Sequence, residues 1–459
     1  MQSANTTLLP HKFSLLFFLF LFIVFSSAKA QDNSPYSRYG LGNQFPRMNV
    51  TSRGMGGVSA AYGDYFSVNY NNPASYASFY AKMEQRAKKV EYARVVLDAG
   101  INFDTRKLAE PNTPQSFTAS DALFSHVYVG IPIRKNWGMS FGIRPLSRTS
   151  YNVFRSERLR TSSGQSIDSA ITQYTGTGGS FLPSMGTGFG SDNFRVGVNI
   201  GYLFGKKEIT THRGFLNDSV LYAASNHTTN SNFGSLFFNA GLQYDINLDT
   251  SKRHVLRLGA SGNWKQTLKG TQDILRQTYV LNSSGQELQV DSVFQQNDIA
   301  GEVIYPASYT VGFIYDNAPG KRTRGWSIGA DYVTTQWNDF RFFGAKDLVQ
   351  NSWEVRVGAQ LTPTLSATRY SQFIHYRFGF FTGQDYVNVD NKLPVYGVSF
   401  GMGLPILNYS RLSSQQSIVN LGLEYIRRGN DQNKIKENLF RISMGLNFTD
   451  LWFGKRKYD

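Results

Sequence analysis

The stretch Phe194-Arg195-Val196-Gly197-Val198-Asn199-Ile200-Gly201-Tyr202-Leu203-Phe204-Gly205 decides the fold. In a β-strand successive side chains point to opposite faces. Steps of two therefore put Phe194, Val196, Val198, Ile200, Tyr202 and Phe204 on one side and Arg195, Gly197, Asn199, Gly201, Leu203 and Gly205 on the other. One face is greasy; the other is mostly polar or very small. The pattern returns near the end of the chain, where Phe440, Ile442, Met444, Leu446 and Phe448 alternate with Leu439, Arg441, Ser443, Gly445 and Asn447. The wall of a transmembrane β-barrel needs this alternation in every strand, because lipid touches one side and the lumen the other.

Working outward from that stretch, alternating segments fall near 91–104, 122–133, 137–149, 176–189, 194–206, 233–247, 254–268, 302–316, 325–335, 352–361, 372–382, 395–406, 417–427 and 438–449. That predicts an all-β protein, a transmembrane antiparallel β-barrel of fourteen strands, each long enough for the roughly 9–11 tilted residues that cross a bilayer. The segment 176–189 is the weakest, blurred by Gly176, Gly178, Gly179 and Pro183. Expected lipid-facing sets include Leu256, Leu258, Ala260 and Trp264, then Trp353, Val355, Val357, Ala359 and Leu361, then Tyr396, Val398, Phe400, Met402 and Leu404. Arg257, Ser261, Asn263, Glu354, Arg356, Gln360, Ser399 and Gly401 fall on the opposite faces. A charge on the lipid face costs about 2–4 kcal/mol at mid-depth, so this segregation marks a membrane wall. A water-soluble sandwich would need a second sheet to cover the same greasy faces. Connections after even-numbered strands are short and turn-like, while long external loops are expected near 150–175, 207–232 and 269–301. That asymmetry puts both ends of the barrel chain in the periplasm.

Residues 1–30 have the form of a cleaved secretory signal: His11 and Lys12, the apolar run from Phe13 to Phe25, then Ala28-Lys29-Ala30 before Gln31. About 13 apolar residues are too few for a membrane helix, which needs about 20. With no cysteine in the chain, lipid anchoring, disulfides and thiolate metal sites are excluded. The net charge of +15 is scattered among strands and turns, without the stripe that nucleic acid would require. It suits solvated loops facing an anionic lipopolysaccharide surface. His126, His212, His227, His254 and His375 stand apart from one another at no metal-ligand spacing, and no nucleophile elbow is read among the serines. No enzyme activity, cofactor or metal is expected.

Residues 31–90 do not read as membrane strands. They hold Ser34-Pro35-Tyr36-Ser37-Arg38-Tyr39-Gly40-Leu41-Gly42, then Arg53-Gly54-Met55-Gly56-Gly57-Val58-Ser59-Ala60-Ala61, Asp64 and Asn72-Pro73-Ala74. A fourteen-strand lumen must stay open or be filled, and this segment is the economical filler. No Gly-Lys-Ser/Thr follows the glycines, so they are read as places of close backbone packing rather than a phosphate cradle. Pro73 fixes its own φ and biases Asn72 away from helix, which predicts a rigid angle of approach into the first strand. The expected organisation is a signal at 1–30, a hatch at 31–90, the barrel at 91–449 and a basic periplasmic tail at 450–459.

In Gly54, Gly56, Gly57, Asp64, Asn72, Pro73 and Ala74, placed just before the first strand, the chain resembles the FadL/TodX family of outer-membrane transporters for long-chain fatty acids and other hydrophobic compounds. It departs from that family in Met48, Tyr62, Tyr65 and Tyr70 around the motif. The resemblance implies passive transport of a hydrophobic small molecule across the bacterial outer membrane, with an inward kink of the third strand opening a side door to the bilayer. Pro145, with Gly142 beside it, is the candidate; the other reading is a bulge near the rim. Inward-facing Arg144, Arg195, Arg257, Arg356, Arg377 and Arg441 either hold a carboxylate head group or pair with Asp98, Asp331, Glu354, Glu424 and the hatch. The alternative function is a FadL-like scaffold in a secretion (type IX) or surface-assembly complex, with Ser34 to Gly40 and Trp452 to Asp459 as docking tails, assembly signals or frayed ends. Expected surroundings are outer-membrane lipid and lipopolysaccharide, with the protein a monomer. N-terminal sequencing of the protein purified from membranes should begin at Gln31; a mature chain still carrying residues 1–30 would refute the cleaved signal.

Overall fold

The computed structural model describes residues 33–84, 90–111, 113–160, 162–216, 223–282, 284, 286–366, 368–389, 391–406 and 416–452. The signal at 1–30 and residues 453–459 of the basic tail lie outside them. Fourteen antiparallel strands form the wall: β1 Val90–Ala109, β2 Ser116–Arg134, β3 Trp137–Arg160, β4 Ser166–Gly190, β5 Phe194–Phe215 and β6 Ala224–Asn247. Then come β7 (His254–Asn263 and Gln266–Leu281), β8 (Glu287–Tyr305 and Ser308–Asn317), β9 Gly325–Thr335, β10 Ser352–Thr362, β11 His375–Gln384, β12 Pro394–Ile406, β13 Gln416–Arg428 and β14 Lys436–Trp452. Each pairs with its sequence neighbour, and β14 closes on β1 through a run from Lys436↔Ala109 to Trp452↔Ala93. Closure gives most backbone groups of the wall cross-strand partners, the exception among the described residues being the β2–β3 stretch beyond Ile143.

The alternation that opened the sequence reading is the alternation of the wall. In β5, Val198 is 54% exposed and its neighbour Asn199 5%. Phe440, Ile442 and Leu446 of β14 likewise face out, while Arg441, Ser443 and Asn447 are buried in the lumen.

Two expectations need correction. The long loops foreseen at 150–175, 207–232 and 269–301 are mostly strand: β3 to β8 continue as hairpins far beyond the membrane and form a tall six-stranded rim sheet. Polar strands outside the bilayer alternate weakly, so periodicity ended where lipid ended. The weak segment 176–189 is strand as expected, within the 25-residue β4. β7 and β8 are also interrupted, at Trp264-Lys265 and at Pro306-Ala307, because Pro306 has no N–H for the ladder.

The N-terminal segment runs inside the barrel. From Val50 onward it circles the lumen against the strands in reverse order. Val50 rests on Gly445 of β14, Gly54 on Gly401 of β12, and Met55-Gly56 on Gly358 and Gly379 of β10 and β11. Ala60 then meets Gly259 of β7, Asn72 meets Gly241 of β6, Pro73 meets Gly188 and Gly197 of β4 and β5, and Tyr76 meets Gly138 of β3. Residues Ala81–Met83 finally pair with β1. Several of these wall glycines are ladder partners, as in Gly138↔Gly188, Gly188↔Gly197, Gly197↔Gly241 and Gly358↔Gly379, so they form a belt. A Cβ at Gly379 would overlap the main-chain nitrogen of Gly56, and one at Gly358 the Met55 carbonyl. Gly379→Ala should therefore cost about 1–3 kcal/mol through overpacking, lowering the midpoint of heat-induced mobility shift on a gel. Gly214→Ala, with nothing within 4 Å of the added atom, should leave that midpoint unchanged.

Candidate functional site

The wall is incomplete at one place. β2 and β3 pair from Arg134↔Trp137 up to Val127↔Ile143, and no rung joins them beyond Ile143 among the described residues. Above that point β2 pairs only with β1, and β3 with β4. The break falls at Arg144-Pro145. Pro145 cannot donate a ladder hydrogen bond, and a bulge at Leu146 shifts the register on the β4 side between Pro145 and Ser147. Gly142 lies at the last rungs, opposite Tyr128 and against the Val127 carbonyl. At Pro145 a bulge on the β4 side therefore coincides with the foot of a stretch of wall where β2 and β3 are unpaired.

The freed edge of β3 is covered from inside. Asn43–Gln44 pair with Arg148 and Ser147, and the Phe45 N–H donates to the Leu146 carbonyl at 2.9 Å. Higher up, the Ser34 N–H donates to the Ser150 carbonyl at 2.9 Å, and Asn33 and Asn152 exchange two side-chain bonds of 3.1 Å. Across the seam, Arg148 Nη1 reaches Asp121 Oδ2 of β2 at 2.6 Å. The same inner residues, Asn43 to Met48, form one wall of a lumen cavity of about 280 Å³ bounded by β1, β9 to β14 and the chain around Tyr386. The inner strand therefore separates the cavity from the seam.

That cavity has apolar walls in Phe45, Met48, Val333, Phe381, Ile426 and Leu439, and charged ones. Arg53, 2% exposed, donates from Nη2 to Asn102 Oδ1 at 2.6 Å and lies 3.6 Å from Glu424; its Nε has no partner. Arg441 makes a two-pronged pair with Asp104, at 2.7 and 2.6 Å. Arg106 and Arg428 share Glu437 at 2.8 and 3.3 Å, and Arg428 reaches Asp385 at 2.8 Å. Ser34 Oγ caps Glu437 at 2.5 Å. Lys207 Nζ donates to the carbonyls of Arg38 and Gly40 at 2.6 and 2.8 Å, and the Gly40 N–H donates to Asp347. Ser34 to Gly40 is thus neither a frayed end nor a free tail; Ser34, Tyr36 and Ser37 are buried at the top of the lumen.

The six arginines singled out from sequence all face inward; Glu354, Glu424 and the inner segment are among their partners as foreseen, and Asp245 and Asp104 join them. Arg195 and Arg257 share Asp245, and Arg257 Nη1 also donates to the Ala61 carbonyl at 3.4 Å. Arg356 pairs with Glu354 and donates to the Gly57 carbonyl at 3.3 Å. Arg377 holds Gln360 and Asn420 at 2.7 and 3.1 Å. Arg144 stacks over Tyr70 with its guanidinium 5.3 Å from the ring. Only Arg356 and Arg441 of the six line the main cavity. Asp98 and Asp331 serve the inner segment instead. Asp98 accepts from the Val68 N–H and faces His126 Nε2, and Asp331 accepts from the N–H groups of Ser59 and Ala60. Asp245, Asp104 and Glu437 were missed because an acid among alternating polar residues has no sequence signal for its cross-strand partner.

Gly56 and Gly57 have φ of +67° and +86°, which lets the chain turn between Met48, Arg356 and the wall. Asp64 accepts from the Phe66 N–H at 3.0 Å; burial raises its carboxyl above the ordinary carboxylate range, opposed by that bond and by Arg377. The Asn72-Pro73-Ala74 motif does not set the approach to β1. It begins a short 3-10 helix, Pro73–Ser78, with Asn72 Oδ1 capping the Ala74 N–H. Asn72 Nδ2 meanwhile donates to the carbonyls of Ala60, Leu242 and Ala260, pinning the segment to β6 and β7.

The spacing Gly-x-Ser-x-Gly does occur twice, at Gly138 to Gly142 and Gly397 to Gly401, but within wall strands β3 and β12 rather than at a strand-to-helix turn. Ser399 Oγ is spent on the inner segment, accepting from the Gly56 N–H at 2.9 Å and donating to the Gly54 carbonyl at 3.2 Å.

The sequence model of the BamG family matches residues 11–459. No curated protein matches the chain. Among solved structures, the CymD monoaromatic hydrocarbon channel aligns with a TM-score of 0.49 at 14% identity, over 90% of this chain and 98% of that one. A Pseudomonas aeruginosa FadL homologue aligns with 0.48 at 13%, over 90% and 98%. The Ralstonia pickettii toluene transporter TbuX aligns with 0.44 at 14%, over 89% and 98%.

Asp104→Ala would leave Arg441 with its two-pronged partner gone in a buried site. A loss of about 3–5 kcal/mol is expected, read as a lower thermal midpoint in detergent. The paired change Asp104→Leu with Arg441→Met should recover most of that loss.

Proposed function

The chain belongs to the BamG family, and from that premise and the geometry above we propose that it is a passive outer-membrane conduit for hydrophobic solutes, with sideways release through the β2–β3 seam. The observation that carries this reading is the seam itself: an unpaired stretch of wall beginning at Pro145, backed by one short inner strand that also bounds the lumen cavity. A solute entering from the rim meets a cavity with apolar walls and a polar side where Arg356 and Arg441 are paired with Glu354 and Asp104. Displacing the Asn43 to Arg47 strand joins that cavity to the seam. Exit into the outer leaflet then needs no energy source, since partition into lipid is downhill by about 0.8 kcal/mol per CH₂.

A disulfide across the inner rung tests it. Gln44 and Ser147 are antiparallel Cα partners, within the separation a disulfide spans, and the native chain has no cysteine to interfere. In proteoliposomes, Gln44→Cys with Ser147→Cys should take up labelled dodecanoate and an uncharged aromatic poorly when oxidised and normally when reduced. Unchanged uptake with the bridge formed would overturn the lateral route. Pro145→Val, folded and inserted, should likewise slow uptake by favouring closure of the β2–β3 ladder.

A further inference from the structure

The tall rim sheet made by the outer halves of β3 to β8 has two free edges. At one, β3 from Val153 to Arg160 pairs with β4 only; at the other, β8 from Glu287 to Gly301 pairs with β7 only, among the described residues. Lower on β8, Arg341–Phe342 cover the edge at Val303-Ile304, and lower on β3 the inner segment covers Ser150 and Asn152. Above those points the main-chain donors and acceptors of both edges face outward with no strand beside them.

Soluble ends of sheets are normally protected by lysine, proline or a covering element. The β8 edge has no lysine, proline or covering strand among the described residues; its protection is limited to its acids and to three register shifts against β7. From Glu287 to Glu302 it carries Glu287, Asp291, Asp298 and Glu302, with no Lys, Arg or Pro, on a chain whose net charge is +15. It also exposes Leu288, Val290, Val293 and Phe294, with Val293 70% exposed. The β3 edge is its complement. It carries Arg155, Arg158 and Arg160 against the single acid Glu157, and exposes Phe154 at 62%.

We propose that these two edges bind each other between neighbouring copies of this chain, β3 of one barrel beside β8 of the next, so that the rim sheet continues from molecule to molecule outside the membrane. The direction of the strands supports a second copy as the occupant. β3 runs away from the short-turn end of the barrel and β8 runs back toward it, so two barrels inserted the same way present these edges antiparallel. Opposite charges across that pairing favour it, and like edges repel, acid against acid and arginine against arginine. The contact joins different patches on the two copies, so it builds closed rings or open rows rather than a two-fold dimer. It departs from the monomer expected from sequence.

Single cysteines introduced into the cysteine-free chain test the pairing in intact cells. One tagged copy carries Phe154→Cys and a second, differently tagged copy carries Val293→Cys; heat-modifiable gel migration checks that each folds. On mild oxidation a cross-linked species bearing both tags is expected. Either variant alone should give no more dimer than a copy with Val357→Cys, whose cysteine lies on a short strand away from the rim. Asp291→Arg should abolish the mixed cross-link, and adding Arg158→Asp to the other copy should restore it. Absence of the mixed cross-link in folded protein, equal cross-linking of like edges, or capture of a different polypeptide instead of a second copy would each overturn the proposal.

Discussion

The structure depends on a steric constraint: the backbone of the inner segment must rest directly on the backbone of the wall. A side chain on the lumen face of the contact rows would hold the two apart by several ångströms, and the ring from Val50 to Tyr76 could not close inside fourteen strands. The glycine belt removes those side chains where the inner chain passes. Glycine weakens a strand by giving up side-chain packing and adding backbone entropy to the unfolded state. Here that cost is offset by seating the inner segment and by the hydrogen bonds it then reaches, such as Asp331 with Ser59 and Ala60, and Asn72 with β6 and β7.

The same constraint explains why the lumen is polar yet filled. Among the wall side chains around it are long charged ones that pair with one another: Arg195 and Arg257 on Asp245, Arg441 on Asp104, Arg106 and Arg428 on Glu437. A buried charge without a partner is costly, so these groups tie strand to strand and strand to inner segment. They also leave the cavity near β9 to β14 bounded by both greasy and charged groups.

The seam is where wall and inner segment exchange roles. Pro145 ends the β2–β3 ladder, and the inner strand at Asn43–Gln44 supplies part of the pairing that β2 no longer gives. A strand that is central in every other part of the barrel becomes an edge there. Because β3 continues upward into the rim sheet, one edge is both the side of the seam and, further out, a surface facing other molecules.

The fourteen wall crossings, their faces and the run of small residues before them were legible in the chain, because lipid imposes a period of two on every crossing and leaves charges only one side. Pro145 was legible as a defect, since its missing N–H is a local fact. Three things were decided only by the tertiary structure. The height of β3 to β8 was hidden because polar strands in water need not alternate. Some partners of the arginines were hidden because closure of the barrel sets β14 beside β1 and so joins Asp104 and Arg441, hundreds of positions apart. The meaning of Pro145 was hidden because a break in a ladder is closed or left open by whatever lies behind it, and what lies behind it is a short strand of the N-terminal segment, Asn43–Gln44.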